Sequence, residues 1–466
     1  MPRRNLVALM IVAILSILGL QAGLAAQRDE GTEMYGLFVD AVEQVESNYV
    51  RSVSRKELLE SALKGMLQHL DPHSSYINNT EWKQFRGNHI EGKFGGIGIQ
   101  IQIDPDTRRL IVAAPMVGTP AYNAGVLPGD EILQIDDQST EDLDLDKVVE
   151  LLQGRPGTKV KLLIRHEQAE KPETITLSRA IIDVPSVLGD SRKADDSWDF
   201  MLDKENKIGY IRITSFVQNT YEELKKAVEE LKEQGMKALI LDLRSNPGGL
   251  LSVAVDVSDL FVEEGRIVST KGRNSPEKVF EAHKEGTYSG FPMAILINHG
   301  SASASEIVSA CLQDHDRAVI VGERSFGKGS VQNIIELDDG ASVLKLTVAT
   351  YWRPSGKNIH RFKNATEKDE WGVKPNDGME VKFTIDDFIA WAKDRKDRDR
   401  QVHGLKPKGA AGDAKDEKKP EQKAEKKDDK KSEPKPFVDR QLNKALEVVK
   451  QKLTGEAKEQ AKEIKE

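Results

Sequence analysis

The sequence predicts a multidomain chain of mixed α/β and α+β class, and three observations carry that reading. Apolar residues recur at helical spacing over 35–70, the character turns strand-rich from Gly92 to about Ala180, and from Ile208 onward strands alternate with helices. The 466 residues suffice for two or three domains with a sizeable core. A net charge of −8, with no sign of a structured basic face, argues against general nucleic-acid binding. The one cysteine, Cys311, excludes an internal disulfide framework; four residues after Ile307, it reads as a buried core thiol.

At the N-terminus, Arg3 and Arg4 precede an apolar run from Leu6 to Leu20, and Gly23, Ala25 and Ala26 follow. That order is a secretory signal over residues 1–26, cut after Ala25 or Ala26. The working part is then exported, to a periplasm or cell envelope, and membrane attachment arises only if the segment stays uncut. In region 27–90, Phe38, Ala41, Val42 and Val45, then Leu58, Leu59, Ala62, Leu63, Met66 and Leu67, predict two helices able to serve as dimerisation arms of a homo-oligomer. Leu70-Asp71-Pro72-His73-Ser74 reads as a turn rather than a catalytic or metal cluster, because Pro and Ser at these spacings set turn geometry.

Residues 91–182 are β-rich. Gly95-Gly96-Ile97-Gly98-Ile99 opens an alternating strand, Leu110 to Ala113 is another, and Pro128-Gly129-Asp130-Glu131-Ile132-Leu133 feeds a third, with one short helix from Leu145 to Leu152. The module resembles a PDZ domain of the bacterial protease type. The resemblance makes Gly95, Gly96, Ile97, Gly98 and Ile99 the candidate loop for a peptide's terminal carboxylate, taken by consecutive backbone N–H groups beside an open strand edge.

The region 183–395 reads as an α/β core. Ile208 to Ile213 is a strand; the helix after it has a capping box in Thr220 and Glu223, an apolar stripe at Leu224, Ala227, Val228 and Leu231, and Gly235 as its stop. Ala238 to Leu243 is a near-continuous apolar run, hence a strand covered on both faces. Asn246-Pro247-Gly248-Gly249 connects it to a helix from Leu250 to about Phe261, and Met293 to Ile297 is a further strand.

That last strand leads into Gly300-Ser301-Ala302-Ser303-Ala304-Ser305-Glu306, and Phe326-Gly327-Lys328-Gly329 follows after one more strand. A serine at a helix start, with a lysine on a glycine-flanked turn, has the parts of a nucleophile and its base. The Ala304 N–H, at a helix N-terminus, is a natural oxyanion donor. Lys328 serves as base only if burial, away from water and carboxylates, removes its proton near neutral pH. Gln332, four residues on, would orient the amine without adding charge. His299 invites a Ser-His-Asp reading with Asp242 or Asp314, but two residues after a strand it is more simply a loop residue, and the serine lacks the closing glycine of a nucleophile elbow. Asp314-His315-Asp316 sits where a helix should end, so no metal is assigned.

The pattern Ser-Ala-Ser-Ala-Ser-Glu-Ile, then Gly-Glu-x-x-Phe-Gly-Lys-Gly-x-Val-Gln, resembles the active-site signature of the C-terminal processing, or tail-specific, serine proteases, whose core is of the ClpP/crotonase-like type. In that family the nucleophile lies 25 residues before the lysine, which selects Ser303 and pairs it with Lys328 and Gln332. The resemblance also implies that Gly248 or Gly249 lends a second oxyanion N–H. It implies a cofactor-free endopeptidase acting near the C-terminus of partly unfolded proteins with free, apolar tails, gated by the PDZ module and open to an adaptor or activator protein. The segment from His360 to Trp371 is longer than the family's usual connection. Residues 396–436, rich in Lys, Asp, Glu and Pro, are expected to be a disordered linker, and 437–466 a closing helix. Two other readings stand beside the protease: a non-catalytic PDZ adaptor, and a crotonase-like acyl-thioester enzyme, for which no coenzyme A signal is found.

Overall fold

A computed structural model describes residues 30–104, 107–166, 169, 171–399 and 437–463. The expected signal peptide and nearly all of the charged linker lie outside the described residues. Among those described, no helix is long and apolar enough to cross a membrane. The chain divides into two compact units: residues up to Asn79 together with Gln332–Thr347, and Thr80–Val331 together with Val348 onward.

In the first unit, α1 (Glu30–Asn48) and α2 (Arg55–Leu70) flank a break at which the Ser54 hydroxyl accepts the Glu57 N–H, capping α2. Tyr35, Leu37 and Phe38 on α1 are exposed, leaving an uncovered apolar face. The turn after α2 is organised by its acid. Asp71 Oδ1 accepts the His73 and Ser74 N–H groups, at 2.7 and 2.9 Å, and Oδ2 accepts the Ser74 hydroxyl. Strand β1 (Ser75–Ile77) then pairs antiparallel with Val343–Lys345.

The second unit begins with the PDZ-like module. The edge strand β2 (Lys93–Gly96) leads into β3 (Ile99–Ile103), β4 (Leu110–Pro115) and β5 (Glu131–Ile135). Helix α3 (Leu145–Leu152), β6 (Lys159–Arg165) and β7 (Glu173–Ser178) follow, and the sheet order is β3-β4-β5-β6-β7. Its own core gathers Val112, Ile132, Ile135, Val148, Leu162 and Ile164. Strand β8 (Ala180–Asp183) returns to pair antiparallel with β2.

The α/β core is built on β9 (Val187–Leu188), β10 (Ile208–Ile213), β11 (Ala238–Asp242), β12 (Met293–Ile297) and β13 (Val319–Gly322) in that spatial order, with β10 to β13 parallel. The apolar run of β11 is explained by both faces. Leu239 and Leu241 pack under α4 (Thr220–Glu233), α5 (Leu251–Asp259) and α6 (Ala304–Asp314), while Ala238 and Ile240 meet Leu442, Ala445 and Val449 of the C-terminal helix α8 (Arg440–Glu463). The helix α7 (Ile385–Asp399) precedes α8, so helical structure runs four residues into the segment expected to be linker. Tyrosine and arginine tie α8 down: Arg244, fully buried, binds Asp242 in the core and Asp439 and Gln441 at the start of α8, and the Tyr210 hydroxyl donates to Asp242 at 2.7 Å.

Candidate active site

Parallel strands discharge their connections at one edge of a sheet, and that places two loops side by side. In register, Asp242 of β11 lies opposite Leu296 of β12, so the Asn246-Pro247-Gly248-Gly249 loop and the Asn298 to Ser303 loop leave together. They are stitched by Asn246, whose carbonyl accepts the Ala302 N–H at 3.0 Å and the Ser305 hydroxyl at 3.0 Å. Only glycine fits at 248: a Cβ there would lie 2.7 Å from Ala302 O, 2.8 Å from Ser303 Cβ and 2.9 Å from Ala304 N, and its φ is +100°.

Ser303 is the N-cap of α6, 6% exposed, with φ of +55° and ψ of −112°. Such a backbone costs on the order of 1–3 kcal/mol for a residue other than glycine and persists only where its surroundings enforce it. The enforcing group is Glu306. Its Oε2 accepts the Ser303 and Lys328 N–H groups, each at 2.8 Å, and its Oε1 accepts the Ser325 hydroxyl and the Gly327 N–H, each at 2.6 Å. One buried carboxylate therefore holds both the serine and the lysine turn, with the Ser303 and Lys328 amides on the same oxygen. Burial pushes this carboxyl up to about 7, against four donated hydrogen bonds that pull the other way.

The lysine turn is shaped by its glycines. Gly327 has φ of +87° and passes against Arg361 and Trp371, and a Cβ on Gly329 would lie 2.2 Å from His360 N. The long connection from His360 to Trp371 folds over this turn: Arg324 stacks on the Trp371 ring at 3.3 Å and donates to the carbonyls of Glu367, Asp369 and Trp371. Lys328 itself is half-buried. Its backbone amide is taken by Glu306.

Ala304 opens α6, so its N–H has no intrahelical acceptor. Of the two glycines, Gly248 donates its N–H to Asn246 Oδ1 at 2.9 Å, whereas the Gly249 N–H has no partner among the described residues. Tyr351, in the second unit and buried, hydrogen-bonds the Ser303 side chain, and its hydroxyl is pushed up to about 12 by burial. Gln332 belongs to the first unit. There its Nε2 donates to Thr347 Oγ1 at 3.2 Å, and Thr347 Oγ1 donates to Asp71 Oδ1 at 3.2 Å. Among the histidines, His299 lies 3.9 Å from Glu323 and tilts on Phe388, while Asp242 serves Arg244 and Tyr210, and Asp314 is clamped by Arg353. His299 therefore forms no Ser-His-Asp set with Asp242 or Asp314. Cys311 is buried, and burial pushes its thiol up to about 12.

In the PDZ-like module, Gly96, Ile97, Gly98 and Ile99 line a groove of about 120 Å³ closed on its other side by Val149 and Leu152 of α3. Gly95 does not face the groove; its carbonyl accepts the Gly154 N–H, and a Cβ on it would lie 2.1 Å from Gly154 O. Gly98 has φ of +75° and packs against Thr119, whose hydroxyl donates to Gly98 O.

Residues 207–376 match peptidase family S41, residues 111–166 match a PDZ domain, and residues 19–81 match the N-terminal domain of the activating protease CtpB. A carboxy-terminal-processing protease of Bartonella bacilliformis is 39% identical over 327 residues, covering 69% of this chain and 71% of its own. The chain belongs to the carboxy-terminal-processing proteases of family S41. A carboxyl-terminal-processing protease of Synechocystis is 37% identical, covering 71% of this chain and 73% of its own, and the protease CtpA of Bacillus subtilis is 36% identical, covering 75% and 68%. The protein is thus a serine peptidase, and the adaptor and thioester-enzyme readings are set aside.

Sequence reasoning passed over Glu306, Asn246 and Tyr351. For Glu306 the signal was present, since Ser303-x-x-Glu306 has capping-box spacing. Tyr351, 48 residues from Ser303 in the chain, carried none.

Proposed function

We propose that this protease cleaves partly unfolded polypeptides near a free, apolar C-terminus with Ser303 as nucleophile and Lys328 as base. The observation that carries the reading is the strained Ser303 held by the same buried carboxylate that holds the Lys328 turn. Ser303 Oγ attacks the scissile carbonyl carbon as its proton passes to neutral Lys328 Nζ. The tetrahedral oxyanion accepts from the Ala304 N–H and, with the Gly248 N–H already committed to Asn246, from that of Gly249. Lys328 then protonates the departing amine. An acyl-enzyme remains on Ser303, and water, giving a proton to the same amine, releases the shortened product and restores the serine. Gln332, four residues along the chain from Lys328, is assigned the role of orienting the lysine amine by the sequence pattern alone.

The groove beside Ile97, Gly98 and Ile99 takes the terminal carboxylate on backbone N–H groups while the tail adds as a strand along β3, and occupancy gates cleavage. The signal-like N-terminus supports export to the periplasm or cell envelope. The uncovered apolar face of α1 suits self-association or an activator protein. The test is cleavage of an unstructured polypeptide with an apolar tail by protein starting at Gln27, beside its Ser303→Ala form and the amidated substrate. Cleavage by the parent alone, slowed by amidation, is the expected result; equal cleavage by Ser303→Ala would refute the nucleophile, and indifference to amidation would refute the carboxylate site.

A further inference from the structure

A second and larger cavity, of about 610 Å³, lies in the same unit between the end of β4, the β8–β9 connection, a short hairpin and α7. The hairpin pairs Ser191–Arg192 with Trp198–Asp199. None of the residues of the proposed catalytic machinery lines it. Its walls carry the cations Arg192, Arg212, Arg395 and Lys396 but only the acids Asp183 and Asp399. Asp183 is paired with Lys93, and Asp399 is shared by Arg212 and Arg395. Asp190 also binds Arg395. Among the described residues Arg192 donates only to the Asp196 carbonyl, and it stacks at 3.5 Å on Trp198, while Lys396 contacts the neutral Gln102.

The donors of this wall are under-used. Arg192 Nε, Arg212 Nε, Arg395 Nε and Trp391 Nε1 are buried and have no acceptor among the described residues; Arg212, Arg395 and Trp391 are each more than nine-tenths buried. Native structures rarely leave such groups unmet, and each costs on the order of 1–3 kcal/mol. These atoms are closed to solvent, but a carboxylate in the cavity would balance the excess of cations on its wall, and guanidinium groups take one bidentately.

The rest of the wall fits a peptide. Strand β4 pairs with β5 only as far as Ile111 and is bulged toward β3 near Ala113, so Ala113–Pro115 has no strand on its β5 side. Met116, Val117, Leu188, Trp198 and Trp391 add apolar surface. The volume suits a ligand of a few residues.

We propose that this cavity is an exosite for an extended acidic peptide segment. Aspartate or glutamate carboxylates go to Arg192, Arg212 and Arg395, apolar neighbours go to the tryptophans, and the peptide backbone lies along Ala113–Pro115. Binding requires no terminal carboxylate and no catalysis, so the site is separable from the tail groove.

The test uses full-length Ser303→Ala protein and a fluorescent peptide alternating Glu with Val and Leu, acetylated and amidated so that no terminal carboxylate remains. Fluorescence anisotropy should show saturable binding that weakens with salt, and the peptide with Gln in place of Glu should bind at least about tenfold more weakly. Arg192→Gln should weaken the acidic peptide about tenfold. Lys396→Gln, an exposed change that leaves the fold untouched, should weaken it less and flatten the salt dependence. An apolar peptide with a free C-terminus should not displace it. Equal affinity for the Gln peptide, or unchanged affinity in both variants, would overturn the proposal. Displacement by millimolar inorganic phosphate would overturn it in favour of a small oxyanion site, and displacement by the free-tail peptide would assign the binding to the PDZ groove instead.

Discussion

The replacement Glu306→Gln tests the organisation of the active site most directly. The carboxylate accepts four hydrogen bonds, two on each oxygen. An amide offers one acceptor oxygen and one NH₂ group, so two of the four donors must face another donor. With the NH₂ group toward Ser325, the serine hydroxyl can turn and accept, leaving only the Gly327 N–H unmet, at about 1–3 kcal/mol. The reverse orientation strands the backbone amides of both Ser303 and Lys328, at about twice that, so the first prevails. At about 1.4 kcal/mol per decade, kcat/KM should fall by roughly five- to 150-fold. KM should move little, because the tail groove is untouched. Initial rates on an unstructured polypeptide, with a thermal melt confirming the fold, provide the assay. The pH profile adds a second readout. Protonation of Glu306 also converts an acceptor to a donor, so activity of the parent should drop as pH falls through about 7, and this inflection should vanish in Glu306→Gln. The stability linkage has the opposite sign. The folded value lies above the ordinary 4.5, so the contribution is full below about 4.5 and is lost as pH rises through about 7. A Glu306→Gln protein within twofold of the parent, with the same pH profile, would refute the reasoning.

Three further outcomes follow from the same geometry. Gly248→Ala places a methyl against Ala302 O, Ser303 and Ala304 N in a backbone that disfavours any side chain; turnover should fall about a hundredfold or more in steady-state kinetics. Arg244→Met strips the fully buried Asp242 of its partner and α8 of its anchor, so chemical denaturation should register a loss of about 3–5 kcal/mol. Thr347→Val removes the link between Gln332 and Asp71 and should lower kcat with little change in KM or melting temperature, whereas Asp71→Asn should also destabilise the turn. Hydrogen bonds from Ser74, His73 and Thr347 outweigh burial and hold the Asp71 carboxyl below its ordinary range, so its contribution is present above about pH 4 and is lost as pH falls through the folded value.

Periodicity alone located the helices of 30–70, the alternating strands of the PDZ-like module and the buried strands at 208–213, 238–242 and 293–297, because burial on one face or both imposes its repeat on the chain. The glycines at 248 and 327 were legible for a similar reason, since positive φ and close approach admit little else. Small residues around Ser303 and its helical spacing pointed to the start of a packed helix, but that start is buried rather than accessible, with Ser303 only 6% exposed. What the sequence could not carry was the meeting of residues far apart in the chain. Whether Gly248 or Gly249 has a free N–H depends on where the Asn246 side chain turns, and Tyr351 reaches Ser303 only because its strand folds back. Glu306 was passed over, because its four bonds are completed only when the 325–328 turn is brought onto the start of α6. The cavity of arginines likewise draws on segments spread from Gln100 to Asp399. Local patterns record which face of each element is buried, but hydrogen-bond partners across the fold are chosen by packing, and the sequence repeat holds no trace of that choice.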